Sequence, residues 1–206
     1  MNEADHMVLI LDDDPALVAS VESLLTGQGW RVRAFTAAKA FFEAGLPVAP
    51  CCLLLDNQLG PGLSGVEVHE EIQRRGWFIP TVSLTGSWNI QMVVKVMRAG
   101  ADGFITKPFA AKDLLTEVER AMHRARTEFK NGTKVASARA RAATLTRREY
   151  EIVELVTKGL LNKEIAAELN LAEITVKVHR GHAMEKLNAK SPAELAHLAA
   201  LAGITH

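Results

Sequence analysis

The sequence predicts an α/β part, a doubly wound five-stranded parallel sheet, followed by an all-α four-helix helix-turn-helix part. Three observations carry this reading. Short apolar runs alternate with segments of helical periodicity up to Arg124, the chain turns polar and small over residues 125–144, and everything after Leu145 reads helical. At 206 residues there is room for two small domains, and 48% hydrophobic with 23% charged residues permits packed cores while excluding a disordered or fibrous chain.

The predicted strands are residues 8–11, 31–35, 51–55, 81–84 and 103–105, with helical segments between most of them, the signature of βαβ units. The unbroken apolar run 52–55 suits a parallel strand covered on both faces. Helix starts follow from their caps: Asp14 before Pro15, and Ser64 with Glu67 three residues on. The first domain is thus expected over residues 1–124 and a linker over 125–144, whose first part is open to being an extension of the fifth helix. Within the linker Asn131-Gly132-Thr133 fits a glycosylation sequon but is expected to be a bland loop. The second domain, 145–206, opens with the capping box of Thr146 and Glu149. Asn162 is expected to cap its second helix, residues 174–187 form the third, and Ser191-Pro192 opens the fourth. Only residues 170–173 separate the second and third helices, the spacing of a helix-turn-helix.

Composition excludes several classes. Cys51 and Cys52 are adjacent, a spacing that suits neither a zinc site nor a CxxC redox pair, so they read as core thiols in a reducing compartment. The apolar run 7–11 is too short and too acidic in its flanks for a signal peptide, and no stretch reaches the roughly 20 apolar residues of a membrane span. A cytoplasmic protein without a membrane partner is the expectation. Residues 1–124 carry 11 Lys+Arg against 15 Asp+Glu, whereas 125–206 carry 13 against 9, which makes nucleic acid a candidate partner of the second part. The glycine patterns at residues 27–29 and 60–65 lack a third glycine or a Gly-Lys-(Ser/Thr), so nucleotide binding has little support.

In a doubly wound sheet the site lies beyond the carboxyl ends of the strands. Asp12 and Asp13 end the first strand there and Asp56 the third, so like charges crowd at a cost that a divalent cation relieves. Oxygen ligands with open positions suit Mg²⁺. Thr85 after the fourth strand and Lys107 after the fifth add a hydroxyl and a cation that could bind a phosphoryl group attached to Asp56. A carboxylate nucleophile surrounded by metal, Lys and hydroxyl has what aspartyl-phosphate formation needs.

Residues 7–124 thereby resemble the receiver domain of two-component response regulators, with its flavodoxin-like fold. The matching elements are Asp12-Asp13, the acceptor in Leu54-Leu55-Asp56, Thr85-Gly86 and the segment 104–108 with Lys107-Pro108. The resemblance implies phosphorylation of Asp56 by a histidine kinase. It implies a metal held by Asp12, Asp13, Asp56 and the backbone carbonyl of Gln58, and a switch in which Thr85 turns toward the phosphoryl group while Phe104 rotates inward. The loop after Asp56 is one residue longer than the usual DxxMPxxxG spacing, and Leu59 stands where Met is common.

In the third C-terminal helix Val176, Ala183 and Leu187 share one face and should pack inward, while Lys177, Val178 and Gly181 face away. Lys and apolar side chains can read base edges, and Arg180, Lys163 and Lys186 suit phosphates. From Leu145 to about Ala202 the chain resembles the LuxR-type output domain, through Thr146-Arg147-Arg148-Glu149, Gly159, Asn162-Lys163-Glu164, Thr175-Val176, His179 and Lys186-Leu187. The resemblance places base reading at Lys177, Val178 and Gly181, of which glycine is a departure, and adds Thr175 and His179 to the DNA-binding set. A metal pair at His179 and His182 has no carboxylate or cysteine to complete it.

The whole resembles response regulators of the FixJ/NarL type. That likeness implies a non-enzymatic transcription regulator on double-stranded DNA of two-fold symmetric sequence, a homodimer when phosphorylated or DNA-bound. The expected receiver dimer face lies on the fourth helix, fifth strand and fifth helix, with Met92, Lys95, Val96, Arg98 and Lys112 on its surface. The alternative is a phosphorylation-independent DNA-binding regulator whose receiver is a dimer platform. A phosphohydrolase is disfavoured because Gln58, not an acid, stands two residues after Asp56.

Overall fold

The computed structural model describes residues 6–60, 63–86, 94, 95, 97, 98 and 100–204. The chain divides into two compact units, residues 1–129 and 130–206.

The first unit holds β1 (Met7–Leu11), α1 (Pro15–Gly27), β2 (Arg31–Phe35), α2 (Ala38–Ala44), β3 (Cys51–Asp56), α3 (Gly65–Arg74), β4 (Thr81–Thr85), β5 (Gly103–Thr106) and the start of α4 (Ala111–Ala142). All five strands are parallel, in the order β2-β1-β3-β4-β5. The strand order therefore reverses at β1, which pairs with both β2 and β3, and the crevice opens beyond the carboxyl ends of β1 and β3. The expected fourth helix between β4 and β5 falls largely outside the described residues, as do Met92 and Val96. Residues 94, 95, 97 and 98 are helical, and Lys95, Arg98 and Lys112 are exposed.

Strand alternation sorts the interior into two layers. Val8, Ile10, Cys52, Leu54, Val82 and Leu84 pack with Val21 and Leu25 of α1 and Leu114, Val118 and Met122 of α4. Leu9, Leu11, Cys51, Leu53 and Leu55 face Phe41, Phe42, Val68 and Ile72 on the other side. The two adjacent cysteines thus belong to different layers. Burial raises the Cys51 thiol to about 11 and drives Cys52 higher still. His69, buried against Ser83, has its pKa lowered by desolvation.

Caps act as the sequence implies. Asp14 accepts from the amides of Ala16 and Leu17, and Ser64 and Glu67 form a reciprocal capping box, each worth about 1 kcal/mol.

The segment read as a linker is helical through Ala142, in one 32-residue helix. The sequon Asn131-Gly132-Thr133 is accordingly helical rather than a loop. Ladder hydrogen bonds on either side carry these poor helix formers.

The second unit contains the end of α4, then α5 (Arg147–Thr157), α6 (Asn162–Leu169), α7 (Glu173–Leu187) and α8 (Pro192–Ala202). Its core is Ile152, Val153, Val156, Ile165, Val176, Ala183, Leu187, Leu195 and Ala199. Asn170 in the left-handed region ends α6 and sets the sharp turn into α7. Asn162 is not the cap of α6. Leu161 holds that position, its amide bonded to Glu164, and the Asn162 side-chain oxygen accepts from Arg180 at 2.7 Å. An extended Leu161 gives the chain its entry angle, which leaves Asn162 one position inside the helix.

Candidate functional site

The crevice at the sheet reversal collects the predicted acids. Leu11 pairs in register with Leu55, so Asp12 and Asp56 emerge side by side, and Asp13 follows at the rim. One carboxylate oxygen from each of Asp12, Asp13 and Asp56 lies within 4.8 Å of the others. Asp12 and Asp56 are buried and Asp13 is exposed.

Lys107, just past β5, closes the group. Its Nζ lies 2.7 Å from Asp12 Oδ2 and 3.2 Å from Asp56 Oδ1. Asp12 Oδ1 accepts from the Asp14 amide at 2.9 Å. Burial raises the Asp56 carboxyl above its ordinary value, opposed by the charge of Lys107 and reinforced by Asp12, while the Gln58 amide donates to it. Burial pulls Lys107 down, yet its hydrogen bond to Asp12 and the charges of Asp56 and Asp12 outweigh this and leave it raised. Thr85, buried at the end of β4, has its carbonyl bonded to the Lys107 amide at 2.7 Å.

Phe104 pairs in register with Ser83 and points outward, 40% exposed, beside Thr106, Asp113 and Glu117. Gln58 is exposed on the loop leaving Asp56. Two glycines set that loop. A Cβ on Gly65 would meet Asn57 Cα and the Asp56 carbonyl at 2.7 Å, so α3 begins directly behind the acceptor. A Cβ on Gly60 would stand 2.9 Å from Asp13 Oδ2. The presence of glycine alone does not disclose this approach, since it depends on how the lengthened loop folds back. The Asn57 side-chain oxygen is buried with no hydrogen-bond partner among the described residues. Three clustered carboxylates with all-oxygen chemistry fit a hard divalent cation.

In the second unit α7 presents its predicted faces. Val176, Ala183 and Leu187 are buried, while Lys177 and Val178 are exposed and Gly181, Thr175 and His179 are half-buried. Lys163 is exposed on α6. Lys186 departs from the expected phosphate contact: it turns inward to Glu149 at 2.6 Å. Glu149 also accepts from the Thr146 amide. Burial pushes the Glu149 carboxyl up, but Lys186 and Thr146 outweigh it and hold it below the usual range. Arg180 is likewise engaged, by Asn162, and joins α7 to α6. Sequence reasoning missed this pairing and that of Glu149 with Lys186, because each joins separate helices.

Comparison with known proteins matches residues 8–119 to the response regulator receiver domain and residues 143–199 to the bacterial regulatory proteins of the luxR family. The chain is a LuxR-family response regulator. It is 39% identical to nodulation protein W of Bradyrhizobium diazoefficiens, over 97% of this chain and 87% of that protein. It is 34% identical to the transcriptional regulatory protein FixJ of Azorhizobium caulinodans, over 96% of this chain and 93% of that one. Among solved structures, the response regulator StyR superposes with a TM-score of 0.83 at 36% identity, covering 95% of this chain and 98% of StyR. The response regulator therefore joins a phosphorylation-controlled receiver to a LuxR-type DNA-binding domain and regulates transcription. Among the described residues no helix is long and apolar enough to cross a membrane.

Proposed function

We propose that Asp56 is the phosphoacceptor, charged by a histidine kinase, and that its phosphorylation controls DNA binding by α7 in the cytoplasm. The observation that carries this is the placement of Asp56 at the end of β3, 3.2 Å from Lys107 and grouped with Asp12 and Asp13. An Asp56 oxygen forms the bond to phosphorus as the phosphorus–nitrogen bond of the donor phosphohistidine breaks, and the departing imidazole takes a proton from solvent. Asp12, Asp13, Asp56 and the Gln58 carbonyl would hold Mg²⁺, which supplies charge neutralisation at the phosphoryl oxygens. Lys107 is positioned to exchange its contact with Asp56 for one with a phosphoryl oxygen. The Thr85 hydroxyl is the second phosphoryl ligand.

Phe104 faces outward, the conformation that precedes the inward turn. That turn reshapes the surface of residues 94, 95, 97 and 98, β5 and α4 and favours a receiver dimer, which presents two output domains to a two-fold DNA site. Lys177 and Val178 then read base edges, Lys163, Thr175 and His179 contact the backbone, and the Gly181 backbone lies close to the groove.

Intact mass after incubation with Mg²⁺ and acetyl phosphate tests the assignment. A single phosphoryl adduct is expected in the parent and is absent from Asp56→Asn and on omission of Mg²⁺. An adduct retained by Asp56→Asn refutes it.

A further inference from the structure

Between Glu128 and Glu149 the chain carries six cations and no acid: Lys130, Lys134, Arg139, Arg141, Arg147 and Arg148. All six are exposed. Several surface cations on other helices are paired locally, Lys39 with Glu43, Arg75 with Glu71 and Lys158 with Glu154. Arg147 and Arg148 are paired likewise through Glu151. Lys130, Lys134 and Arg139, like Lys163, have no acidic residue three or four positions away in either direction. Lys130 and Lys134 stand at i,i+4, a like-charge pair that costs a few tenths of a kcal/mol in an isolated helix.

This stretch is fixed to the DNA-binding unit. Ala138 is buried, Ala142 packs on the core of the unit, and Arg141 Nη1 donates to the Leu187 carbonyl at 3.3 Å. Leu187 is the last residue of α7, so the cation sits where a helix leaves carbonyls unsatisfied. By helical pitch Lys130, Lys134 and Arg141 fall within about 40° of one another, on a stripe about 16 Å long that starts at the carboxyl end of α7, whereas Arg139 lies on the opposite side of the helix. The side chains between them are small or polar: Asn131, Thr133, Val135, Ala136 and Ser137. Leu198 and Leu201 of α8 border the groove beside Lys134 and Arg141, but both are half-buried, and none of the Trp, Tyr or Phe side chains that usually anchor a protein partner lines it. A phosphate backbone calls only for spaced cations.

We propose that this stripe of α4 is a second DNA contact, lying on backbone phosphates that flank the base pairs read by α7 and contributing affinity without sequence preference. The proposal rests on DNA binding by the output domain, and its test separates the two.

The full-length protein and its K130Q/K134Q variant are titrated onto a random-sequence duplex over a range of salt, with and without Mg²⁺ and acetyl phosphate. The variant is expected to bind with a slope of log affinity against log salt shallower by about 0.9 for each phosphate left unneutralised, roughly 1 to 2 in all. The charge-preserving variant K130R/K134R keeps the parental slope, as does R139Q, which removes a cation from the other side of the helix. Far-UV circular dichroism confirms that the helix is intact in all three. An unchanged slope in K130Q/K134Q overturns the proposal and leaves an acidic protein surface as the partner of the stripe. A parent that binds no duplex in either condition refutes DNA binding itself.

Discussion

Lys107 lies closer to Asp12, at 2.7 Å, than to Asp56, at 3.2 Å, and so spans the two most buried carboxylates of the receiver. Its removal leaves two like charges facing each other out of water. Lys107→Ala is expected to destabilise the first unit by about 2 kcal/mol, below the figure for a fully buried pair because the lysine is partly exposed. Urea unfolding in EDTA measures this. Adding Mg²⁺ should narrow the gap, since a divalent cation takes over the neutralising role; a gap that stays constant contradicts the shared site.

Gly60 on the lengthened loop leaves no room for a Cβ beside Asp13. Gly60→Ala forces the Asp13 carboxylate away from a Cβ that would stand 2.9 Å off, and is expected to weaken Mg²⁺ binding several-fold. Calorimetric titration of Mg²⁺ reads the affinity, while thermal stability in EDTA should stay within about 0.5 kcal/mol of the parent because the loop is exposed.

The pair of Glu149 with Lys186 makes the second unit sensitive to acid. The Glu149 carboxyl is held below its ordinary 4.5, so the unfolded chain binds the proton more readily. The stabilisation is complete above about 4.5 and is lost as pH falls through the lower, folded value. Lys186→Met leaves the buried Glu149 carboxylate with only its Thr146 contacts, is expected to cost about 2 kcal/mol at neutral pH and moves the Glu149 carboxyl up from its lowered value. The ring signals of Tyr150, the single tyrosine, follow this unit, whereas all three tryptophans, Trp30, Trp77 and Trp88, lie in the first.

Gly132 sits inside α4 with open space around any added Cβ. No packing reason retains it there. Gly132→Ala should raise helix stability by about 0.5–1 kcal/mol, read as slower amide exchange over residues 130–136. Faster exchange in the variant contradicts the open surroundings.

The sheet was legible because burial on both faces writes continuous apolar runs, as in residues 52–55, and because the acids that end β1 and β3 become neighbours in any 2-1-3 strand order. Caps at Asp14, Ser64 and Thr146 were legible because their chemistry is local. What escaped was non-local or set by backbone angle. Polar composition argued for a loop over 125–144, but continuation of an existing helix needs no new nucleus and overrode propensity through Ala142. Asn162 looked like a cap by residue type, yet the extended Leu161 decides the start of α6. The inward turn of Lys186 depends on Glu149, 37 residues away, and no periodicity connects them.

The split of Cys51 and Cys52 between the two layers of the receiver has a practical side. Neither thiol can reach the surface or the other layer without opening the sheet, and at a pKa of about 11 only on the order of one Cys51 in ten thousand is thiolate at neutral pH. Oxidants and alkylating reagents therefore pass the native protein by. A cysteine placed on the outer face of α4 or α7 would be the sole reactive thiol, so spin labels or fluorophores can be attached site by site to the otherwise unaltered sequence to follow the two units as the receiver is charged.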